Sequence, residues 1–446
     1  MMKRFIVFAA VTVFFCSCQN QKPATVHLKG KLDLEAPITM AYNGAASALG
    51  DSRNLVINTD KDGVFDTVIA LNRAEYFAIR RNTLYLSPGD EIEVFINDVN
   101  VEAKFAGRGA EANEYLKHRL FPKAGSFLEA GKNCRSSFAE TKVVVDSLAA
   151  VRLQTLNALA DVSAEFKDLE TARINADVVN SYFSYLSYSK YYTTFRRQSD
   201  AEYREHAAAA IDTIAPAAAP LIMSFNDDKY LDVAVVRDVF SYESNELYRK
   251  CFEGIIAGEG RKELFEASKY VSSMRERVTE EIIDEAKLAI QQLTNEDFKT
   301  ELARKTEQAS KLLPGQPAID IELETAEGEK LNLSDLKGKT MYIDLWATWC
   351  GPCKYEAPFF NDVAAKCKGK DILFIKISTD KKKSDWLKSL DHSDTNVLQY
   401  ISNDLRLSSE WAVFYIPRFI LIDKDFNIID AYAKRPSEGI EINYEL

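Results

Sequence analysis

Two cysteines separated by two residues, Cys350 and Cys353, constrain the fold of this 446-residue chain more than any other feature. The pair follows residues 341–346, which have strand character, and a helical pattern comes after it. A thiol at the start of a helix lies near unpaired backbone N–H groups and the positive end of the helix dipole, which stabilise its thiolate. The sequence therefore predicts a strand–turn–helix unit with a reactive dithiol, a more specific signal than two spaced cysteines alone.

Length and composition set the broad class of the chain. A chain of 446 residues is too long for one compact core, so we expect about two or three domains. Hydrophobic residues make up 46% and charged residues 28%, which is usual for globular proteins in water. The net charge is −11 and there is no long basic run, so no nucleic-acid partner is expected.

The N-terminus is predicted to be a targeting segment and not part of the fold. A short basic region precedes an apolar run from Phe5 to Phe15, which is the order found in secretory signals. The segment resembles a bacterial lipoprotein signal covering residues 1–18, with Cys18 as the lipidated residue. This implies a lipid-anchored protein of the cell envelope that faces the periplasm, and the glutamine after Cys18 favours the outer membrane. The alternative is a plain cleaved signal that ends near Ser17.

The remaining cysteines do not form a regular disulfide framework. Without the two in the signal segment, five of the seven cysteines are left. They are Cys134, Cys251, Cys350, Cys353 and Cys367. Their odd number and wide scatter argue against structural pairing, and the sequence leaves open whether Cys134, Cys251 or Cys367 pair. The one closely spaced pair is therefore interpreted as redox-active.

The pattern along the chain predicts an all-β region followed by a helical one. Residues 25–108 alternate apolar and polar side chains between turn signals, which favours a small antiparallel β-sandwich-like domain or a barrel. Residues 110–312 are rich in helix formers and predict a bundle or helical hairpins, with Pro216 and Pro220 expected to break the run once. No segment after the N-terminus is expected to be long and apolar enough to cross a membrane.

One aromatic stripe in the helical region has two interpretations. Tyr182, Tyr185, Tyr188 and Tyr191 recur at every third position. The simpler interpretation is a helix that packs its rings into neighbouring helices. The alternative is a surface that binds a peptide or a glycan, since tyrosine is enriched at binding surfaces.

A Pro- and Gly-containing segment, residues 313–318, ends the helical pattern. Strand and helix patterns alternate from there to the C-terminus, so residues 313–446 are predicted to form an α/β domain.

This last domain resembles the TlpA/ResA-like group of thioredoxin-like disulfide reductases of the cell envelope. The resemblance rests on four segments in the expected order and spacing. They are Leu-Pro-Gly-Gln-Pro-Ala at 313–318, Leu-Ser-Asp-Leu-Lys-Gly-Lys at 333–339, Trp-Ala-Thr-Trp-Cys-Gly-Pro-Cys at 346–353 and Ile-Pro-Arg-Phe-Ile-Leu-Ile-Asp at 416–423. It covers roughly residues 313–446 and implies a thioredoxin-like fold there.

The resemblance implies a catalytic role for four side chains. Cys350 would attack a substrate disulfide, and Cys353 would then attack the mixed disulfide and release the reduced product. Asp344 matches a buried acid that exchanges a proton with the second cysteine, because a desolvated carboxyl has a raised pKa. Glu356 matches a second acid found in the envelope group, and its alternative interpretation is a surface residue in the first helical turns.

The resemblance also implies a surface that binds the substrate. Pro417 matches a cis-proline that faces the dithiol, and Ile416 would offer its backbone to a substrate strand. Trp349, Gly351 and Pro352 would complete that surface. The residue before Ile416 is a tyrosine where the family commonly has glycine, which alters access to the groove.

These residues predict an enzyme that reduces disulfide bonds and has no cofactor and no metal site. The uncharged residues between the two thiols are typical of reducing members of this fold. The expected partners are disulfide-containing envelope proteins and an unidentified protein that supplies the electrons. The alternative is a peptide- or glycan-binding lipoprotein in which the thioredoxin-like part is a docking module.

Overall fold

The computed structural model describes residues 24–192, 199–390 and 396–439, which divide into two units. The first unit takes most of the chain up to Glu253. The second takes the chain from Gly254 onward and two short earlier segments, Ala45–Arg53 and Asn226–Leu231. The predicted signal segment, with Cys18, lies outside the described residues.

The first unit opens with the predicted β region, which forms two four-stranded sheets. Its strands are β1 Thr25–Leu32, β2 Ile38–Tyr42, β3 Leu55–Ile57, β4 Val64–Ala70, β5 Glu75–Ile79, β6 Asn82–Leu86, β7 Glu91–Ile96 and β8 Lys104–Arg108. The sheet orders are β4-β1-β7-β8 and β3-β2-β5-β6. Both sheets are open, so the strands do not close into one barrel. The pairing is antiparallel except between β1 and β7, which run parallel.

The described part of the first unit continues with five α-helices. They are α1 Ala110–Leu116, α2 Phe138–Ala158, α3 Ala164–Tyr192, α4 Asp200–Ser224 and α5 Ala234–Phe240. The predicted break at Pro216 and Pro220 is wrong, because α4 continues through both prolines. A proline removes one helical hydrogen bond and crowds the preceding turn. Here packing of the helix, which buries Ile214, Ala218 and Ile222, outweighs the lost bonds.

Helix α4 also corrects the expectation about membrane spans. Its length and apolar composition would suit a membrane-crossing helix, which the sequence analysis expected of no segment after the N-terminus. Several of its apolar side chains are nevertheless buried inside the first unit, among them Ile211, Ile214 and Ile222. A core helix of a globular unit satisfies the same test of length and composition.

The aromatic stripe of α3 packs into the protein. Tyr182 and Tyr185 are almost fully buried. Their ring centroids lie 5.2 and 5.6 Å from that of Phe138 on α2. The packing interpretation is therefore confirmed for these two residues. Tyr188 is partly exposed, and the side chain of Tyr191 lies outside the described residues.

The second unit joins three helices to a seven-stranded sheet. The helices are α6 Glu259–Glu276, α7 Glu280–Gln292 and α8 Glu296–Ser310. The sheet region contains β9 Glu322–Glu324, β10 Lys330–Asn332, β11 Thr340–Trp346, α9 Gly351–Lys366, β12 Ile372–Ser378, α10 Lys383–Leu387, β13 Val397–Ile401, α11 Arg406–Ser409, β14 Arg418–Ile422 and β15 Ile428–Asp430. The strand order is β10-β9-β13-β12-β11-β14-β15, with β11, β12 and β13 parallel and β14 antiparallel to β11. This is the α/β arrangement predicted from residue 313 onward.

The predicted helical region, residues 110–312, is divided between the two units. Helices α1–α5 belong to the first unit, whereas α6–α8 cluster with the α/β sheet. The Pro- and Gly-containing segment at 313–318 marks the end of the helical pattern, not the start of the second unit. Helical periodicity shows where helices lie and not what they pack against, so it could not reveal this grouping.

An aromatic cluster fixes α9 against the sheet. The rings of Tyr342, Phe360 and Phe419 stack, with centroids 5.3 Å apart between Tyr342 and Phe360 and 5.7 Å apart between Tyr342 and Phe419. Phe374 from the neighbouring strand packs edge-on against Tyr342 at 5.9 Å. Such rings bury large apolar surfaces and have few rotamers, so they hold a helix in one place. The start of α9 is thereby fixed relative to the ends of β11 and β12.

Candidate functional site

The dithiol lies at the first turn of α9, as predicted. Cys350 is the N-cap residue of this helix and is joined by a disulfide bond to Cys353. The backbone N–H of Cys353 donates a hydrogen bond of 3.2 Å to the Sγ of Cys350. In the reduced protein a thiolate at Cys350 would receive this bond and the favourable end of the helix dipole. The geometry therefore favours Cys350 as the more acidic thiol of the pair.

The turn that leads to Cys350 is held by an aspartate that the sequence analysis missed. Asp380, which is 3% exposed, accepts hydrogen bonds from the backbone N–H and the hydroxyl of Thr348, at 2.9 and 2.8 Å. It follows β12, whereas Thr348 follows β11. The carboxyl ends of parallel strands meet at one edge of a sheet. An acid just beyond the neighbouring strand was the signal that could have identified this support.

The residues around the dithiol are open to solvent. Trp349 is 73% exposed, and Gly351 and Pro352 are exposed as well. The two sulfur-bearing residues are buried in contrast, with Cys350 only 4% exposed. An exposed aromatic side chain therefore lies next to the recessed dithiol.

The cis-proline loop, residues 412–417, closes the other side of the site. The Ile416–Pro417 peptide bond is cis, as the resemblance implied. The carbonyl oxygen of Ile416 lies 3.7 Å from the Sγ of Cys350. Pro417 is buried and Ile416 is partly exposed. The structure therefore brings this loop together with the dithiol, which sequence separation alone does not show.

Asp344 lies in the middle of β11 and is 1% exposed. None of the described residues donates a hydrogen bond to its Oδ1. Burial raises the pKa of Asp344 to about 7. The positive charge of Lys376, which pairs with Asp344 in the β11–β12 register, opposes this rise in the pKa, and the negative charge of Glu356 adds to it. A carboxyl with a pKa near neutrality can both accept and release a proton at physiological pH. Lys376 had not been recognised in the sequence.

This raised pKa predicts a pH-dependent penalty on the stability of the second unit. A raised folded-state pKa gives stability that is complete below the ordinary value of 3.8 and is lost as the pH rises through about 7. Asp344→Asn removes that loss, because asparagine does not ionise. The free energy of unfolding of the variant, relative to that of the wild type, should therefore be higher at pH 8 than at pH 4. The increase should be up to about 4 kcal/mol, at about 1.4 kcal/mol per pKa unit.

Urea unfolding of the oxidised full chain at the two pH values measures this difference. Tryptophan fluorescence reports on the second unit, because all four tryptophans of the sequence lie there. Parallel pH profiles for the wild type and the variant would show that Asp344 does not ionise in this range.

Glu356 is buried, so the interpretation as a surface residue is wrong. It is 2% exposed on α9 and accepts hydrogen bonds from the backbone N–H and the hydroxyl of Ser437, at 3.1 and 2.8 Å. Ser437 lies in the short helical turn Pro436–Glu438. In the described chain, this turn is the helical element that follows β15. The two predicted acids therefore differ, because Glu356 is hydrogen-bonded whereas the Oδ1 of Asp344 is not.

The other described cysteines do not join the site. Cys134, Cys251 and Cys367 are unpaired and buried. Burial raises the pKa of Cys134 and raises that of Cys251 to about 12, so neither is a reactive thiol at neutral pH. Within the described ranges, no three or more histidine, cysteine or acidic side chains are grouped so that they could hold a metal ion.

Comparisons with known proteins agree with this site. The Redoxin family model matches residues 313–443, which include the dithiol, Asp344 and the cis-proline loop. The thiol–disulfide oxidoreductase ResA of Bacillus cereus is 29% identical over 120 residues, 27% of this chain and 69% of the relative. ResA of Bacillus subtilis is 24% identical over 130 residues, 29% of this chain and 73% of the relative.

A solved structure shares more sequence over the same share of the chain. The crystal structure of a candidate thiol–disulfide oxidoreductase from Bacteroides vulgatus is 59% identical to this chain, covering 29% of it and 91% of the solved chain, with a TM-score of 0.28. The relatives, the family match and the Cys350–Cys353 disulfide favour redox chemistry over the alternative of a binding protein with a docking module. The chain is therefore a thiol–disulfide oxidoreductase that carries a TlpA/ResA-like domain of the thioredoxin family in residues 313–443.

Proposed function

We propose that this oxidoreductase works as a reductase of disulfide bonds in proteins of the bacterial cell envelope. The observation that carries this proposal is the position of Cys350. Its sulfur accepts the N–H of Cys353 at the start of α9 and faces the carbonyl of Ile416. A thiolate is stabilised there, next to a backbone segment that a substrate strand can approach.

The reaction consists of two thiol–disulfide exchanges. The Cys350 thiolate attacks one sulfur of the substrate disulfide, that S–S bond breaks, and the other substrate sulfur leaves as a thiolate. The Cys353 thiolate then attacks the Cys350 sulfur of the mixed disulfide and releases the second substrate thiolate. Two electrons pass to the substrate and the Cys350–Cys353 disulfide forms. A second protein with a reduced dithiol restores the starting state.

Asp344 serves the second exchange in this proposal. Cys353 is 2% exposed, so loss of its proton is costly in the poorly solvated interior. The carboxylate of Asp344, whose pKa burial raises to about 7, accepts that proton. Glu356 acts through Asp344, because its negative charge adds to this upward shift of the pKa.

The substrate surface consists of Trp349, Gly351, Pro352, Ile416 and Pro417. A proline has no N–H, and the backbone around it stays open for hydrogen bonds with an extended substrate segment. Trp349 adds an exposed aromatic face. Recognition through backbone and aromatic contacts accepts many sequences, which fits a reductase with several protein substrates.

The direction of the reaction is tested by turnover and by the reduction potential of the dithiol. Gly351 and Pro352 place no charge between the thiols, so we expect a potential near that of thioredoxin, about −270 mV. The full chain, purified in detergent, should accelerate the reduction of insulin by a small dithiol. A potential near −120 mV, the value of a strong oxidant, would contradict the reductase assignment.

We further propose that the protein is anchored through a lipid on Cys18 and faces the periplasm from the outer membrane. The basic, apolar and Ser-Cys segments of the N-terminus support this proposal. Cys18→Ala should move the protein from the membrane fraction to the soluble fraction, whereas the matched change Cys16→Ala should not. Mass spectrometry that finds an unmodified N-terminus after Ser17 would contradict lipidation.

A further inference from the structure

The C-terminal end of α6 holds two tyrosines of the α/β sheet region. The last carbonyl groups of a helix have no partner within it and need other donors. In α6, the carbonyl of Arg275 accepts a hydrogen bond of 2.6 Å from the hydroxyl of Tyr415. The carbonyl of Met274 accepts one of 3.1 Å from the hydroxyl of Tyr432. Two neighbouring carbonyls of one helix end therefore reach two different segments of the same unit.

Tyr415 belongs to the cis-proline loop. It directly precedes Ile416, whose carbonyl faces the Cys350 sulfur at 3.7 Å. The side chain of Arg275 makes a second contact with this loop, because its guanidinium lies 5.4 Å from the ring centroid of Phe414. One residue of α6 thus contacts two consecutive residues of the loop, once through its backbone and once through its side chain.

The end of α6 is itself fixed to the sheet by other contacts. Arg277 donates hydrogen bonds from its two Nη atoms to the carbonyl of Tyr432 at 3.0 Å and to the carboxylate of Asp430 at 2.9 Å. Together with the hydroxyl of Tyr432 on Met274, these bonds hold the helix end without involving the cis-proline loop. The helix end is therefore a fixed point to which the loop is attached.

We propose that α6 anchors the cis-proline loop through Tyr415 and so sets the position in which the loop receives protein substrates. Tyr415 is a positioning residue, because it acts through the backbone of Ile416 and not on the reacting sulfurs. This inference rests on the proposed function. A protein disulfide uses the loop backbone as well as the dithiol, whereas a small disulfide needs the dithiol alone. Without the anchor, a smaller fraction of molecules has the loop in place, and the apparent affinity falls by that fraction.

Tyr415→Phe tests the anchor, because it removes the hydroxyl and keeps the ring. In the full chain, KM for insulin should rise about three- to tenfold, the range that corresponds to one lost hydrogen bond. The value of kcat, and the rate with a small aromatic disulfide, should stay within about twofold. Tyr432→Phe is the matched control, because it removes the neighbouring bond to α6 and keeps the ring that packs against Arg418. The two bonds of Arg277 still hold the helix end, so KM for insulin should stay unchanged.

The other outcomes each contradict the inference. An unchanged KM in Tyr415→Phe would show that the anchor does not position the loop. Equal slowing with insulin and with the small disulfide would place the effect on the dithiol. An equal rise of KM for insulin in Tyr415→Phe and Tyr432→Phe would show that the rise comes from packing of α6 in general. A wild-type protein that reduces neither substrate would instead contradict the proposed function, so the two failures can be distinguished.

Discussion

Replacing Cys350 by serine is expected to lower the rate of reduction of a protein disulfide by on the order of 10³-fold or more, because the nucleophile is lost. Replacing Cys353 should stop the reaction one step later. With Cys350 intact, the first exchange still proceeds, but no thiol remains to release the substrate. Cys353→Ser should therefore accumulate a mixed disulfide with its substrate. Non-reducing gels and mass spectrometry of cells that express each variant measure this difference.

Cys367→Ser is the matched control for these variants. Cys367 is an unpaired and buried cysteine of the same unit, so its replacement should change neither turnover nor trapping. Substrates trapped on Cys353→Ser would also identify the envelope proteins that the enzyme reduces. Mixed disulfides that form with Cys350→Ser and not with Cys353→Ser would reverse the roles of the two thiols.

Asp344→Asn is expected to slow the second exchange more than the first. Loss of a general base typically costs ~10²–10⁴-fold in the step that it serves. The first exchange needs only the Cys350 thiolate, whereas the second needs removal of a proton from the buried Cys353. Because burial raises the pKa of Asp344 to about 7, the second exchange in the wild type should accelerate as the pH rises through that value. The variant should lose this acceleration.

Stopped-flow measurements with a model disulfide separate the two phases of this reaction. Glu356→Gln is the control, because it changes the pKa of the Asp344 carboxyl without removing that carboxyl. The charge of Glu356 contributes to the upward shift of the pKa of Asp344, so its removal should move the acceleration to lower pH without abolishing it. If Asp344→Asn slows both phases equally, or neither, Asp344 is a structural acid and the proton passes to Glu356 or to water.

Much of the site could be predicted from the sequence because its chemistry is encoded locally. The cysteine pair, the preceding strand and the following helix lie within one short stretch, so their order fixes Cys350 at a helix start. An acid between apolar residues of a core strand, as at Asp344, is costly unless it has a role, and it is buried as expected. The cis-proline was implied by family resemblance and not by local physics.

The features that sequence reasoning missed depend on contacts between distant residues. Tyr415 reaches a carbonyl 140 positions earlier in the chain, and Ser437 reaches Glu356 across 81 positions. The parallel pairing of β1 with β7 is of the same kind. Periodicity describes the faces of single elements and carries no information on which elements meet. The role of α6 in the second unit could therefore be seen only in the structure.

The reaction proposed above depends on Cys350, at the start of α9, as the thiol that attacks the substrate. The most direct test is the alkylation rate of each cysteine in the reduced full chain as a function of pH, resolved by mass spectrometry of the modified peptides. Stabilisation by the N–H of Cys353 and by the helix dipole predicts that Cys350 reacts first. Its rate should follow a pKa below the ordinary cysteine value of about 8.5. Faster alkylation of Cys353, or an ordinary pKa at Cys350, would show that Cys350 is not the attacking thiol.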